Sequence, residues 1–289
     1  MQKKNFRRTF ACMLIFMLVM ANTSLVLASS AAAITNKGVS LLGIDSSKVA
    51  GKVQLQGESN KDKLKVLIIK DSEKIWRDLE VNNGHFDEEI WLTQGKGTYT
   101  IAVMVHEADR KYSYGPKLTV ENVNEVNPYL VPTKHIESDS EEVRELAAKI
   151  TENKTTDIEK VRAIYEWVST NISYDYEKFS KHQNGDYDNT YGAVHTLKTK
   201  KGVCYDYAAL AAALGRAVGL ESKVVKGQAS YGTYSGYHAW NEIYIGEEDR
   251  WVHFDTTFGA ADLKSGTGEL EKHFDNEDFD ENHIKQEEI

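Results

Sequence analysis

Two kinds of hydrophobic patterning divide the chain. Between residues 36 and 122 apolar positions alternate with polar ones in short runs: KVQLQG, LKVLIIKD, KIWRDLEV, HFDEEIWL, GTYTIAVMVHEA and KLTVEN. A period of two places one side of each strand on a core and the other in water, and the Gly, Asn and Asp residues between runs supply turns. Strands at this spacing predict an all-β sandwich, immunoglobulin-like in architecture, of about six or seven strands. His85 and His106 stand alone within it, and packing or surface placement accounts for both.

A linker is expected over residues 123–134, where Pro128 and Pro132 supply two of the chain's three prolines. The period then changes. SDSEEVRELAAKITE predicts a helix capped by Ser138 or Asp139, with acidic residues in its first turn. TTDIEKVRAIYEWVSTNI places Ile158, Val161, Ile164, Tyr165 and Val168 on one helical stripe. Residues 175–190 read as a polar loop. CYDYAALAAALGRAVG predicts a third helix that stops at Gly219. SKVVKGQA, YHAWNEIYI and WVHFDTTF follow as strands. Helices followed by an antiparallel sheet make an α+β domain over residues 135–289. The acidic stretch DNEDFDEN lacks the glycine and ligand spacing of a calcium loop and reads as solvated surface.

Composition adds a compartment. Hydrophobic residues at 41% and charged residues at 27% fit a globular chain. Residues 1–30 differ: Lys3, Lys4, Arg7 and Arg8 precede the apolar run ACMLIFMLVMA, and small residues follow it. A basic start, a short apolar middle and a small-residue zone describe a secretory signal, and the run is shorter than the ~20 residues of a spanning helix. The alternative is an uncleaved anchor. Removing the segment takes away four positive charges and no negative ones, moving the formal net charge from −9 to −13. Such acidity argues against nucleic acid as the partner, because phosphate binding needs clustered Lys and Arg. Of the two cysteines, Cys12 leaves with the signal, and Cys204 remains without a partner for an internal disulfide. An exported chain that keeps one thiol is expected either to use it or to bury it.

The surroundings of Cys204 favour use. An amide carbonyl is a poor electrophile, and opening it with a side chain takes a strong nucleophile, a base and a group that orients the base. Cys204 follows Gly202 and Val203 at a predicted helix start. There the partial positive charge favours thiolate, and free backbone N–H groups are available to an oxyanion. His238 opens the strand YHAWNEIYI. If residues 246–249 form the turn to the next strand, Ile245 faces Arg250 and Trp240 faces Asp255. Asp255 then lies diagonal to His238, within reach to fix a ring nitrogen.

These segments also carry a resemblance. KGVCYDYAALAAALGRAVGLESKVV, GYHAWNEIYI and WVHFDTT closely resemble the three core motifs of the transglutaminase-like superfamily, relatives of the papain-type cysteine proteases. The resemblance covers roughly residues 135–289 and is strongest over 201–257. It implies a nucleophile helix packed on an antiparallel sheet. Cys204 would be the nucleophile, His238 the general base and acid, and Asp255 the orienting carboxylate. NISYDY, residues 171–176, also looks like the tyrosine-containing segment that precedes the nucleophile helix in bacterial members.

Other residues receive narrower readings. His253 shares a strand face with Asp255 and is a rival partner for it. Asp206 reads as a stabiliser of the helix start. Trp240 and Tyr191 are candidates for substrate binding, and Tyr191 and Gln183 for a second oxyanion donor. No cofactor is expected, and no metal site, since the histidines lack HxxxH spacing. The expected function is a secreted cysteine enzyme that transfers the acyl group of a protein or peptide amide to water or to an amine. Its substrate would lie on a cell wall or cell surface. The rival reading is a non-enzymatic surface module whose second domain is a retired scaffold.

Overall fold

The computed structural model describes residues 33–43, 47–266 and 270–289; the segment read as a secretory signal lies outside the described residues. Among them no helix is long and apolar enough to cross a membrane.

The first half is built from β1 (Ile34–Asn36), β2 (Val39–Leu41), β3 (Lys48–Val49), β4 (Lys52–Ser59), β5 (Leu64–Lys70), β6 (Glu73–Leu79), β7 (His85–Trp91), β8 (Gly97–Ala108) and β9 (Lys111–Asn122). One sheet runs β1-β2-β4-β7 and the other β3-β9-β8-β5-β6. Leu55, Phe86 and Ile90 of the first share a core with Val66, Ile101 and Val120 of the second. The alternation of KVQLQGES is realised residue by residue, with Val53, Leu55, Gly57 and Ser59 buried and their neighbours exposed. Nine strands among the described residues exceed the expected six or seven. The surplus comes from β1, β2 and β3, which are too short to display a period.

The linker is not a loose tether. The Tyr129 carbonyl accepts from Ser222 N–H at 2.9 Å, and the Val131 carbonyl from Arg216 Nη1 at 2.7 Å. Beyond it come α1 (Glu141–Thr151) and α2 (Asp157–Asn171). The cap of α1 is Ser140, not Ser138 or Asp139: its side chain accepts from Val143 N–H, while Ser138 is buried. Helix α2 starts on a reciprocal Thr156–Glu159 capping box and buries Val161, Ile164, Tyr165 and Val168.

The expected loop over 175–190 is partly helical. After β10 (Ser173–Tyr174), α3 (Tyr176–Gln183) starts from an Asp175 cap; α4 (Ala193–Thr199) and β11 (Lys201–Gly202) lead to α5 (Cys204–Ala217). Helix α3 is short, and its one fully buried side chain is Lys178, so no apolar stripe marks it in the sequence.

Helix α5 lies against β12 (Ser222–Tyr231) and β13 (Tyr234–Ile245), and its alanines fill the core with Val224, Ile243 and Val252. Next is β14 (Arg250–Phe254), where the strand read as WVHFDTTF stops. Asp255 caps α6 (Thr256–Ser265) by accepting from the N–H groups of Thr257 and Phe258, so DTTF turns into a helix. A 3₁₀ turn (Leu270–His273), α7 (Phe279–Asn282) and β15 (His283–Glu288) complete the chain, giving a sheet of order β14-β13-β12-β15.

The acidic stretch read as solvated surface therefore contains a buried anchor, Phe279, and ends on an edge strand. Gly227 lets that strand close. A Cβ there would stand 2.0 Å from the Ile284 carbonyl oxygen.

Candidate active site

Cys204 is the first residue of α5 and is partly buried. The helix start is held from below. Asp206 is fully buried; its Oδ2 accepts from Val203 N–H at 2.9 Å and from Lys178 Nζ at 2.7 Å. The expected role of Asp206 at the helix start thus includes a buried cation that no sequence signal announced. Lys178 also donates to the Thr190 carbonyl at 2.7 Å. Gly202 makes room, since a Cβ there would meet the Asp206 Cβ at 2.5 Å. The parallel β10–β11 pairing then fixes NISYDY beside the nucleophile segment, with Asp175 N–H donating to the Gly202 carbonyl at 2.9 Å. Tyr174 comes close enough to Cys204 that, after burial itself, the cysteine's charge helps to raise its phenol pKa. Among the described residues the Tyr174 hydroxyl has no hydrogen-bond partner.

The strand register is the expected one: Ile245 pairs Arg250, and the ladder continues to Asn241–Phe254, which brings Asp255 level with Trp240. His238 Nε2 bonds Asp255 Oδ2 at 2.7 Å, leaving Nδ1 as the ring nitrogen for Cys204. The His238 ring lies flat on Phe258, with centroids 4.4 Å apart and planes 9° from parallel. His238 is 3% exposed and Asp255 fully buried. Burial alone would push the imidazole pKa down. The Asp255 carboxylate overcomes this, Cys204 adds to it, and the value rises far above the ordinary imidazole range. For Asp255, burial would push the value up, but the His238 charge and the bonds from His238 and His283 hold the carboxyl well below its usual range.

His283 was not anticipated. Its Nε2 bonds the same Asp255 Oδ2 at 3.2 Å, its Nδ1 bonds the Phe279 carbonyl at 3.0 Å, and its ring stacks on Phe279 at 3.9 Å. The first residue of β15 thus brings a second imidazole to the carboxylate. The available hint was the isolated phenylalanine in DNEDFDEN, an apolar residue with no reason to sit in solvated surface.

The remaining candidates separate from this centre. His253 bonds the Asn276 carbonyl at 3.1 Å rather than Asp255. Trp240 is 2% exposed and packed on Phe279 and His283, so it supports the site from behind and does not face a substrate. Tyr191 bonds His182 Nε2 at 2.8 Å and covers the Lys178 ammonium, which places it with the support of the helix start. Gln183 ends α3, exposed. His85 is exposed, and His106 bonds the Asp109 carbonyl at 2.9 Å. Among the described residues no group of three or more His, Cys, Asp or Glu side chains is placed to hold a metal ion.

A cleft of about 440 Å³ opens beside the centre, with Tyr174, Tyr234, His238 and Phe258 in its walls.

Comparison with known proteins places the likeness in the same half of the chain. Residues 144–256 match the model of the transglutaminase-like superfamily. The chain is 31% identical over 125 residues to human kyphoscoliosis peptidase, covering 40% of this chain and 18% of that protein. It is 29% identical over 136 residues to the mouse protein, covering 44% and 20%. The matches thus span about a fifth of those relatives' length. Among solved structures, a candidate cysteine protease from Cytophaga hutchinsonii aligns over 89% of this chain and 73% of its own, at 18% identity and a TM-score of 0.41. Red sea bream transglutaminase aligns over 73% and 48%, at 12% identity and a TM-score of 0.32. The family match falls within the helical half of this chain, over residues 144–256.

Proposed function

We propose that the chain is a cysteine-dependent acyl-transfer enzyme acting on amide bonds of proteins or peptides. What supports this above all is one imidazole, His238, held by Asp255 at 2.7 Å and close enough to Cys204 for the cysteine to help raise its pKa.

In this mechanism the Cys204 thiolate attacks the amide carbon, forming a C–S bond and an oxyanion. The oxyanion takes hydrogen bonds from the N–H groups of Cys204 and Tyr205 at the start of α5, ahead of Asp206 N–H, which already meets the Val203 carbonyl. Tyr174, which pairs with Gly202 just before the nucleophile, is assigned as the second donor. As the C–N bond breaks, the His238 proton passes to the amine nitrogen, leaving a thioester and a neutral imidazole. Water then attacks, His238 takes its proton, and the acid departs as the thiolate returns; a primary amine in place of water gives a new amide. Asp255 stays ionised throughout and sets the imidazole tautomer. His283 is a positioning residue that anchors the same carboxylate. Export, with the mature chain keeping Cys204 as its one thiol, fits a thiol kept for chemistry.

Hydrolysis is the favoured outcome, because the mouse and human proteins that the chain matches are named peptidases. Mass spectrometry of a peptide library, incubated with and without an added primary amine, separates the outcomes. Cleaved peptides in both incubations are expected. Amine adducts dominating would make the enzyme a transamidase, and no product in either would remove the amide-directed reading.

A further inference from the structure

The 440 Å³ cleft has a particular relation to the catalytic pair. Its walls include His238 and leave out Cys204. Its remaining surface is largely aromatic: Tyr174, Phe179, Tyr231, Tyr234 and Phe258. Several of the phenols are turned away to protein partners. Tyr207 OH donates to the Ile172 carbonyl at 2.7 Å, Tyr234 OH to the Tyr237 carbonyl at 2.8 Å, and Tyr231 OH to Asp262. With those hydroxyls engaged, the rings offer apolar surface, and Lys264 is the one lysine, arginine or acidic side chain in the lining. A cavity of this size accommodates one large side chain with its backbone.

In thiol acyl transfer the two halves of the substrate separate across the nucleophile. The acyl half stays on sulfur, and the amine half leaves past the imidazole that protonates it. A pocket that touches the imidazole and not the sulfur therefore lies on the amine side. We infer that this cleft selects the amine half: it seats a large apolar or aromatic side chain on the residue whose nitrogen leaves the scissile amide. The inference rests on the acyl-transfer reading, and it assigns that reading a substrate class. A lysine at the rim disfavours a cationic side chain, so a basic residue is not the fit. Residues of the Tyr231–Tyr234 hairpin tip and of α6 line the cleft together, and Phe258, stacked under His238, is among them.

The test uses the full chain carrying Cys204→Ala, so that binding is read without turnover. NMR titration compares L-phenylalaninamide with glycinamide, which share the ammonium and amide groups and differ by the benzyl side chain. Phenylalaninamide is expected to bind about tenfold tighter or more, the scale of one well-seated apolar group. Ala261→Trp, an exposed position on α6 that lines the cleft, should erase that difference by filling the space. Equal binding of the two amides, or a preference that survives Ala261→Trp, overturns the cleft assignment. Neither result depends on catalysis. In the protein with its cysteine intact, the alkylation rate of Cys204 reports separately on the acyl-transfer reading.

Discussion

The sandwich and the α+β half bury different things. Between the two sheets the interior is almost wholly hydrocarbon, and Asn122, its fully enclosed polar side chain, is saturated by bonds to Gly51 N–H and to the Leu92, Gly95 and Asn124 carbonyls. The core of the second half encloses Lys178, Asp206, Arg216, His238, Asp255 and His283. Burying a charge costs several kcal/mol unless a partner meets it, and replacing such a pair by hydrocarbon is often neutral or stabilising. A fold that only had to be stable would resemble the first half. Apart from Arg216, which lies in the last turn of α5, these groups collect around the first turn of α5 and the end of β14, where nucleophile, base and carboxylate must be held in fixed geometry.

Perturbing one buried centre in each half separates these roles. The largest effect is expected for Asp255→Ala, which strips an acceptor from two imidazoles and two helix N–H groups. Denaturant unfolding should show a loss of about 3–5 kcal/mol, and turnover should fall by about 10³-fold or more. Leu55→Ala in the sandwich should cost about 2–5 kcal/mol through a cavity yet leave the reactivity of Cys204 intact. Equal damage to that reactivity from both would erase the contrast. Tyr174→Phe comes next: kcat should drop by about 10²-fold with KM little changed, the signature of one oxyanion donor.

The charge state of His238 has its own signature in stability. Its folded pKa, raised to about 10, exceeds the unfolded value near 6.5. The stabilisation is therefore complete below about pH 6.5 and is lost as pH rises through the folded value. Across that window the unfolding midpoint of the wild type should fall more steeply than that of His238→Ala, and parallel profiles would contradict the assignment. The smallest effect is expected for His283→Phe, which keeps a ring against Phe279 but removes the bond to Asp255. A kcat reduction of about tenfold is predicted, with a displaced pH–rate profile and partial rescue by His283→Gln. A change in Tm alone would reduce His283 to packing.

Much of this was legible in the chain. The His238–Asp255 contact follows from counting strand register back from one turn, because antiparallel pairing propagates rigidly once Ile245 faces Arg250. The α2 stripe and the strand alternation of the first half were visible because each buries one regular face. What escaped lacked periodicity. Helix α3 hides a lysine instead of an apolar stripe, β15 docks through backbone bonds along an exposed charged edge, and Asp255 converts a strand-like DTTF into a helix by capping. His283 depended on further non-periodic features: a buried phenylalanine in an acidic run, a glycine at a close approach, and a long-range bond.

The central claim is that Cys204 and His238 act as a reactive pair. Alkylation of Cys204 by iodoacetamide at pH 6 measures it directly, with glutathione as the free-thiol reference. The account predicts a rate about tenfold or more above the reference, falling to it in His238→Ala. A wild-type rate no faster than glutathione, unchanged by that substitution, would contradict it.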